Sequence, residues 1–147
     1  MLAAVSPEEF PPLYLPMIQT ALGFAAEARG DAVSAVRYQR DALAVAIRLE
    51  APRDLAGSLE GLAGALSLAG RADDAAIALG KAAAVRKAAG VPAGPVEQDD
   101  IDRAAARIGE AAGADAFAAG AALEPGEILR RAEAVPPEGR SVWADDR

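Results

Sequence analysis

The sequence predicts an all-α protein: a right-handed stack of about two helix–turn–helix repeats, each near 40 residues long, followed by further C-terminal helices. Three observations carry that reading. Apolar residues recur at spacings of three and four, as in Leu55, Leu59, Leu62 and Leu66, which puts them on one face of a helix. No stretch alternates polar and apolar residues as a half-buried strand would. The chain also matches itself under a shift of 40, which carries Leu22 onto Leu62, Gly30 onto Gly70, Val45 onto Val85 and Pro52 onto Pro92. Alanine pairs such as Ala35 with Ala75 and Ala42 with Ala82 agree too. They weigh less, because about a quarter of the chain is Ala.

Pro and Gly divide the chain into elements. Residues 1–14 form an irregular lead-in ending in "FPPLY". A single helical domain is predicted over 15–134, and the aperiodic tail "VPPEGRSVWADDR" occupies 135–147. The first helix carries Ile18, Leu22 and Ala25, with Pro16 suited to its first turn. Arg29–Asp31 is a tight turn into a second helix with Val36, Leu43 and Ile47 on one face. "EAPRD" breaks the chain before the leucine-striped third helix. Ala69–Arg71 turns into a fourth helix running to about Ala89, and "GVPAGP" is a linker. Ile101, Ala105, Ile108 and Ala112 mark a fifth helix, and two short ones follow around Phe117 and Ile128.

Composition excludes several function classes. A net charge of −7 with a pI near 4.6 argues against nucleic acid or an anionic membrane as a direct partner. Cys and His are both absent, which removes disulfides, thiolate nucleophiles and the commonest general base and metal ligand. No apolar run approaches the roughly 20 residues that cross a bilayer. The start "MLAAVSPEEF" lacks the basic segment of a signal peptide, so a cytoplasmic protein is expected. The 13 Arg against 2 Lys, with the excess of Ala, point to a GC-rich bacterial genome.

No motif supplies chemistry. Gly80-Lys81 has no Ser or Thr after it, and Ala75 stands where a phosphate loop needs its first Gly. Glu97, Asp99, Asp100 and Asp102 lack the Gly and distant Glu of a calcium loop, and read as acidic residues at a helix start. Asp73-Asp74 and Asp145-Asp146 are neighbours that point apart, without a pocket to shift a pKa. The expectation is a non-enzyme with no cofactor and no metal.

The repeat resembles a tetratricopeptide repeat. That motif sets a Leu before a small residue, a Gly at the turn, and Ala residues along the second helix. Leu22-Gly23, Gly30, Ala35 and Ala42 fit it, as do Leu62-Ala63, Gly70, Ala75 and Ala82. Small contact residues let helix axes close to the short end of the usual 8–10 Å. Two features depart from the family: its period is about 34, and Gln39 and Leu79 stand where it carries a large aromatic. From Leu55 to Ala132 the chain also resembles the C-terminal repeat region of actinobacterial LuxR-type and antibiotic-regulatory transcriptional regulators.

The resemblance implies a protein–protein interaction module, binding a protein partner or other domains of its own parent chain. The family lines its groove with the first helix of each pair, which implies Met17, Thr20, Phe24 and Glu27 from one unit and Glu60, Gly64 and Ser67 from the next. The alternative is a small-molecule-sensing domain with its cavity beside Phe24 and Tyr38. Self-association is a further expectation. An uncovered leading end near Leu2, Val5, Phe10, Leu13 and Tyr14 invites a homodimer, unless the tail with Trp143 covers its own groove.

Overall fold

A computed structural model describes residues 14–133, and among these it is all helical, with no strand. The seven helices are α1 (Leu15–Ala28), α2 (Ala32–Leu49), α3 (Pro52–Leu68), α4 (Ala72–Ala89), α5 (Pro95–Ile108), α6 (Glu110–Ala122) and α7 (Pro125–Glu133). Consecutive helices from α1 to α4 pack on one another. Beyond these neighbours, α1 lies against α3, α3 against α5, and α4 against α6. The last helix, α7, turns back to pack on α2 and α4. The lead-in residues Leu2, Val5, Phe10 and Leu13, and Trp143 of the tail, lie outside the described residues.

The two tight turns are built alike. Gly30 and Gly70 take φ of 75° and 79°, a left-handed conformation that costs glycine nothing. Behind each, the next amide reaches back to the last helical turn: Asp31 N donates to Ala26 O and Arg71 N to Leu66 O, both at 2.9 Å. The second helices start differently. Asp31 caps α2 by accepting from Ser34 N at 3.1 Å, whereas α4 has no side-chain cap and Arg71 instead pairs with Asp74. Both helices end in a left-handed residue, Glu50 for α2 and Gly90 for α4.

Leu43, Leu59, Leu62, Leu66 and Ile128 are the large apolar side chains buried completely, and alanines fill the space between them. On α1 the expected stripe does not point inward. Ile18 and Leu22 are 40% and 43% exposed, and the residues α1 buries are Pro16, Gly23, Ala26 and Glu27. The reason is steric: Gln39 of α2 is fully buried, and its amide lies against Gly23 and Gly61, where any side chain would collide with it. Its Nε2 donates to Thr20 O at 3.1 Å. A large residue at position 23 would displace that amide.

The fifth helix stops short of Ala112. Gly109 takes φ 77° and ψ 158°, so α5 ends at Ile108 and Ala112 belongs to α6. The approach of α6 to α4 is set by two glycines facing opposite ways. A Cβ on Gly80 would strike the Phe117 carbonyl, and one on Gly120 would strike the Ile77 carbonyl. Backbone meets backbone there, and only hydrogen fits.

Candidate interaction site

The residues implied for a groove divide into three places. Phe24, Glu27, Gly64 and Ser67 come together on the side formed by α1, α3 and α5. Glu27 is only 5% exposed. Arg103 Nε donates to its Oε2 at 2.5 Å and Arg107 Nη1 to the same oxygen at 2.9 Å. Burial raises the Glu27 carboxyl, but the hydrogen bonds and charges of Arg103 and Arg107 outweigh it, and the group sits below its ordinary value. Arg107 Nη1 also reaches the Gly64 carbonyl at 3.2 Å, and Ser67 Oγ donates to that carbonyl at 2.7 Å. The Arg103 guanidinium stands 5.8 Å from the centre of the Phe24 ring. Gly64 matters here for room, since a Cβ would meet the Glu27 carboxylate.

Glu60 is in a second place, and it is not open to a partner. It is 2% exposed, and Arg86 Nε and Nη2 take its two oxygens at 2.7 Å each. The third Arg86 nitrogen donates to Val91 O at 3.0 Å, which pins the loop before α5. The strong bond to Glu60 raises the Arg86 pKa against the effect of burial. Met17 and Thr20 belong to a third place, a shallow cleft of about 220 Å³ shared with Arg53, Gly57, Ser58 and Glu97. Met17 is 57% exposed.

A larger cleft opens between α5 and α6. These two helices barely touch: α5 is held to α3 and, through its arginines, to α1, while α6 is held to α4. The gap has a volume of about 750 Å³. Leu79 of α4 forms its floor, Ile101, Ala105 and Ile108 one wall, and Gly113 and Phe117 the other. Phe117 is 45% exposed. The cleft touches neither Phe24 nor Tyr38, the pair expected beside a small-molecule cavity. Tyr38 is half-buried, under the guanidinium of Arg37.

Sequence reasoning identified the α5 stripe as the mark of a helix and gave it no place in a site. Ile101 and Ile108 pack partly against the core and, with Ala105, line the cleft, and Ala104 is the one residue of α5 that is fully enclosed. The signal that bears on this is the pair Arg103 and Arg107, four apart on the adjoining face. They fix which side of α5 turns to the stack, and that leaves the Ile stripe beside the gap. In comparison with known proteins, the chain matches no family model, no curated protein and no solved structure.

Proposed function

We propose that this chain is a protein–protein interaction module made of tetratricopeptide-like helix pairs in a right-handed stack. We place it as the cytoplasmic C-terminal regulatory region of a larger bacterial transcriptional regulator. The observation that carries the interaction reading is the apolar cleft between α5 and α6, with Phe117 nearly half exposed on its wall. Open apolar surface of this kind marks a binding site more often than an ornament of a monomer. The alike turns at Gly30 and Gly70 support the repeat. The regulator assignment is supported by the sequence resemblance over Leu55–Ala132.

Photo-crosslinking in the native cell tests the reading. A photoreactive amino acid replaces Phe117 or, in a second variant, Ser67. The expected product is an adduct with a protein partner, or a link to another domain of a longer parent chain. Absence of either product at both positions would sink the interaction module. A DNA-binding helix-turn-helix in the same reading frame is the result expected for the regulator.

A second reading is a small-molecule sensor. It is favoured by the cleft volume, which lies in the range of about 300–1,000 Å³ typical of ligand pockets. Thermal shift against a panel of apolar metabolites separates the two, because a protein-binding module gains no stability from them.

A further inference from the structure

We propose that the cleft at the N-terminal ends of α1, α3 and α5 binds a free α-amino acid, holding its carboxylate and its ammonium group at once. This goes beyond the interaction reading and is independent of the α5–α6 cleft. The first turns of three helices supply the walls: Pro16 and Met17 of α1, Arg53 and Asp54 of α3, and Glu97 of α5. Each of these helices carries a Pro in its first two positions, and none has a side chain capping its N-terminus. Three uncapped, positive helix ends therefore meet at one place. Thr20, Gly57, Ser58 and Arg86 complete the lining. Pro16, Ser58 and Arg86 are buried and make the floor, while Met17 and Arg53 are exposed at the mouth.

A hydroxyl on that floor lacks its partner. Ser58 is 1% exposed, and its Oγ makes no hydrogen bond among the described residues. An orphaned buried hydroxyl costs stability. Alanine, which the same helix buries as Ala56, Ala63 and Ala65, would avoid that cost. The charges on the lining then select the ligand. Arg53, Asp54 and Glu97 enter no ion pair among the described residues, whereas Arg86 is neutralised by Glu60. A simple anion would meet Asp54 and Glu97, and a simple cation would meet Arg53 and three positive helix ends. An α-amino acid answers both sets, with its carboxylate toward Arg53 and the helix ends and its ammonium toward Asp54 and Glu97. The Ser58 hydroxyl can donate to the first or accept from the second. Size agrees. The cleft holds about 220 Å³, below the range of about 300–1,000 Å³ of drug-sized pockets, which restricts it to a small metabolite. Pro16 and Met17 leave an apolar side for the ligand's own side chain.

The test uses the full chain, with thermal shift and isothermal titration calorimetry against each of the common α-amino acids added singly. At least one is expected to raise the melting temperature and to give a saturable heat. For that amino acid, the amine lacking its carboxylate and the acid lacking its ammonium should each bind about tenfold more weakly or worse. Arg53→Gln should weaken binding by a similar factor, and so should the double variant Asp54→Asn, Glu97→Gln. Ser58→Ala tests the floor. It should raise the melting temperature of the free chain, because the orphaned hydroxyl is gone, and weaken binding severalfold, because the ligand has lost that partner. Gly57→Leu should block the cleft, and the fold accommodates it because a Cβ there meets nothing within 4 Å. Circular dichroism confirms that each variant is folded. No response to any amino acid, equal binding of the amine or the acid, or binding indifferent to Arg53→Gln or Gly57→Leu overturns the proposal. So does a Ser58→Ala chain no more stable than its parent, since water alone would then satisfy the hydroxyl. A thermal shift that survives Gly57→Leu and is lost in Ala105→Phe belongs to the α5–α6 cleft, and it overturns the proposal too.

Discussion

Glu60 and Arg86 have side chains 2% and 8% exposed, so each is a buried charge whose only ionic partner among the described residues is the other. Replacing one and leaving the other is therefore the costly change. Arg86→Met is expected to destabilise by about 3–5 kcal/mol, since it strands the Glu60 carboxylate in the core. The double variant Glu60→Leu, Arg86→Met should recover most of that loss in urea unfolding. A double variant as unstable as the single would mean that the pair does more than neutralise itself. Glu27 differs, because its partners are half exposed and its titration is open to measurement. Its carboxyl is lowered in the folded chain, so the unfolded chain binds the proton more tightly. The stability it contributes is complete above the unfolded value, about 4.3, and is lost as pH falls through the lower folded value. Asp100, raised by burial despite Arg103, has the opposite sign and contributes most at low pH. The clean measurement is the difference between the parent and Glu27→Gln. It should be greatest near neutrality and vanish in acid. None of this was legible from sequence, where Glu27 and Glu60 look like any surface glutamate. What marks them is what stands across from them, Gly64 and two arginines for Glu27 and Arg86 for Glu60, and that requires knowing which helices face each other.

At the level of elements, the glycines of α3, α4 and α6 look equivalent in the sequence and are not. Gly120 sits where a Cβ would strike the Ile77 carbonyl, and backbone cannot step aside as a side chain can. Gly120→Ala is expected to cost about 1–3 kcal/mol. The loss should show as faster amide exchange in α6, while α3 keeps its protection. Gly57, in the middle of α3, has nothing within 4 Å of the same position. Gly57→Ala should therefore stabilise by about 0.4–1 kcal/mol, by removing freedom from the unfolded chain. If the two substitutions shift the melting temperature equally, the close approach of α6 is not as described. The elements themselves were legible, since Gly and Pro punctuation and the leucine stripe mark the first four helices and their turns. Their inward faces were less so. Helix α1 turns Ile18 and Leu22 outward because Gln39 claims the space beside Gly23, a constraint set by another helix.

Across the whole molecule, the negative charge makes a prediction that needs no site. The chain should give no mobility shift with duplex DNA at physiological salt, because a net charge of −7 repels the phosphate backbone. A salt-sensitive shift on random duplex would show that the arginines are arranged otherwise. The cleft escaped sequence analysis because it is made by a helix pair failing to close, and hydrophobic period does not report on distance between helices. The return of α7 to α2 was hidden for the same reason. Among the described residues no helix is long and apolar enough to cross a membrane. That return also orders events while the chain is being made. Helices α2 and α4 are complete once Ala89 has been added, but Ile128 and Ala132 of α7, which packs on both of them, are added only later. The 44 residues from Gly90 to Glu133 take roughly 2–9 s to synthesise at about 5–20 residues per second. For those seconds the surfaces of α2 and α4 that α7 covers are bare on the nascent chain, which makes it a better client for a chaperone before α7 is made than after.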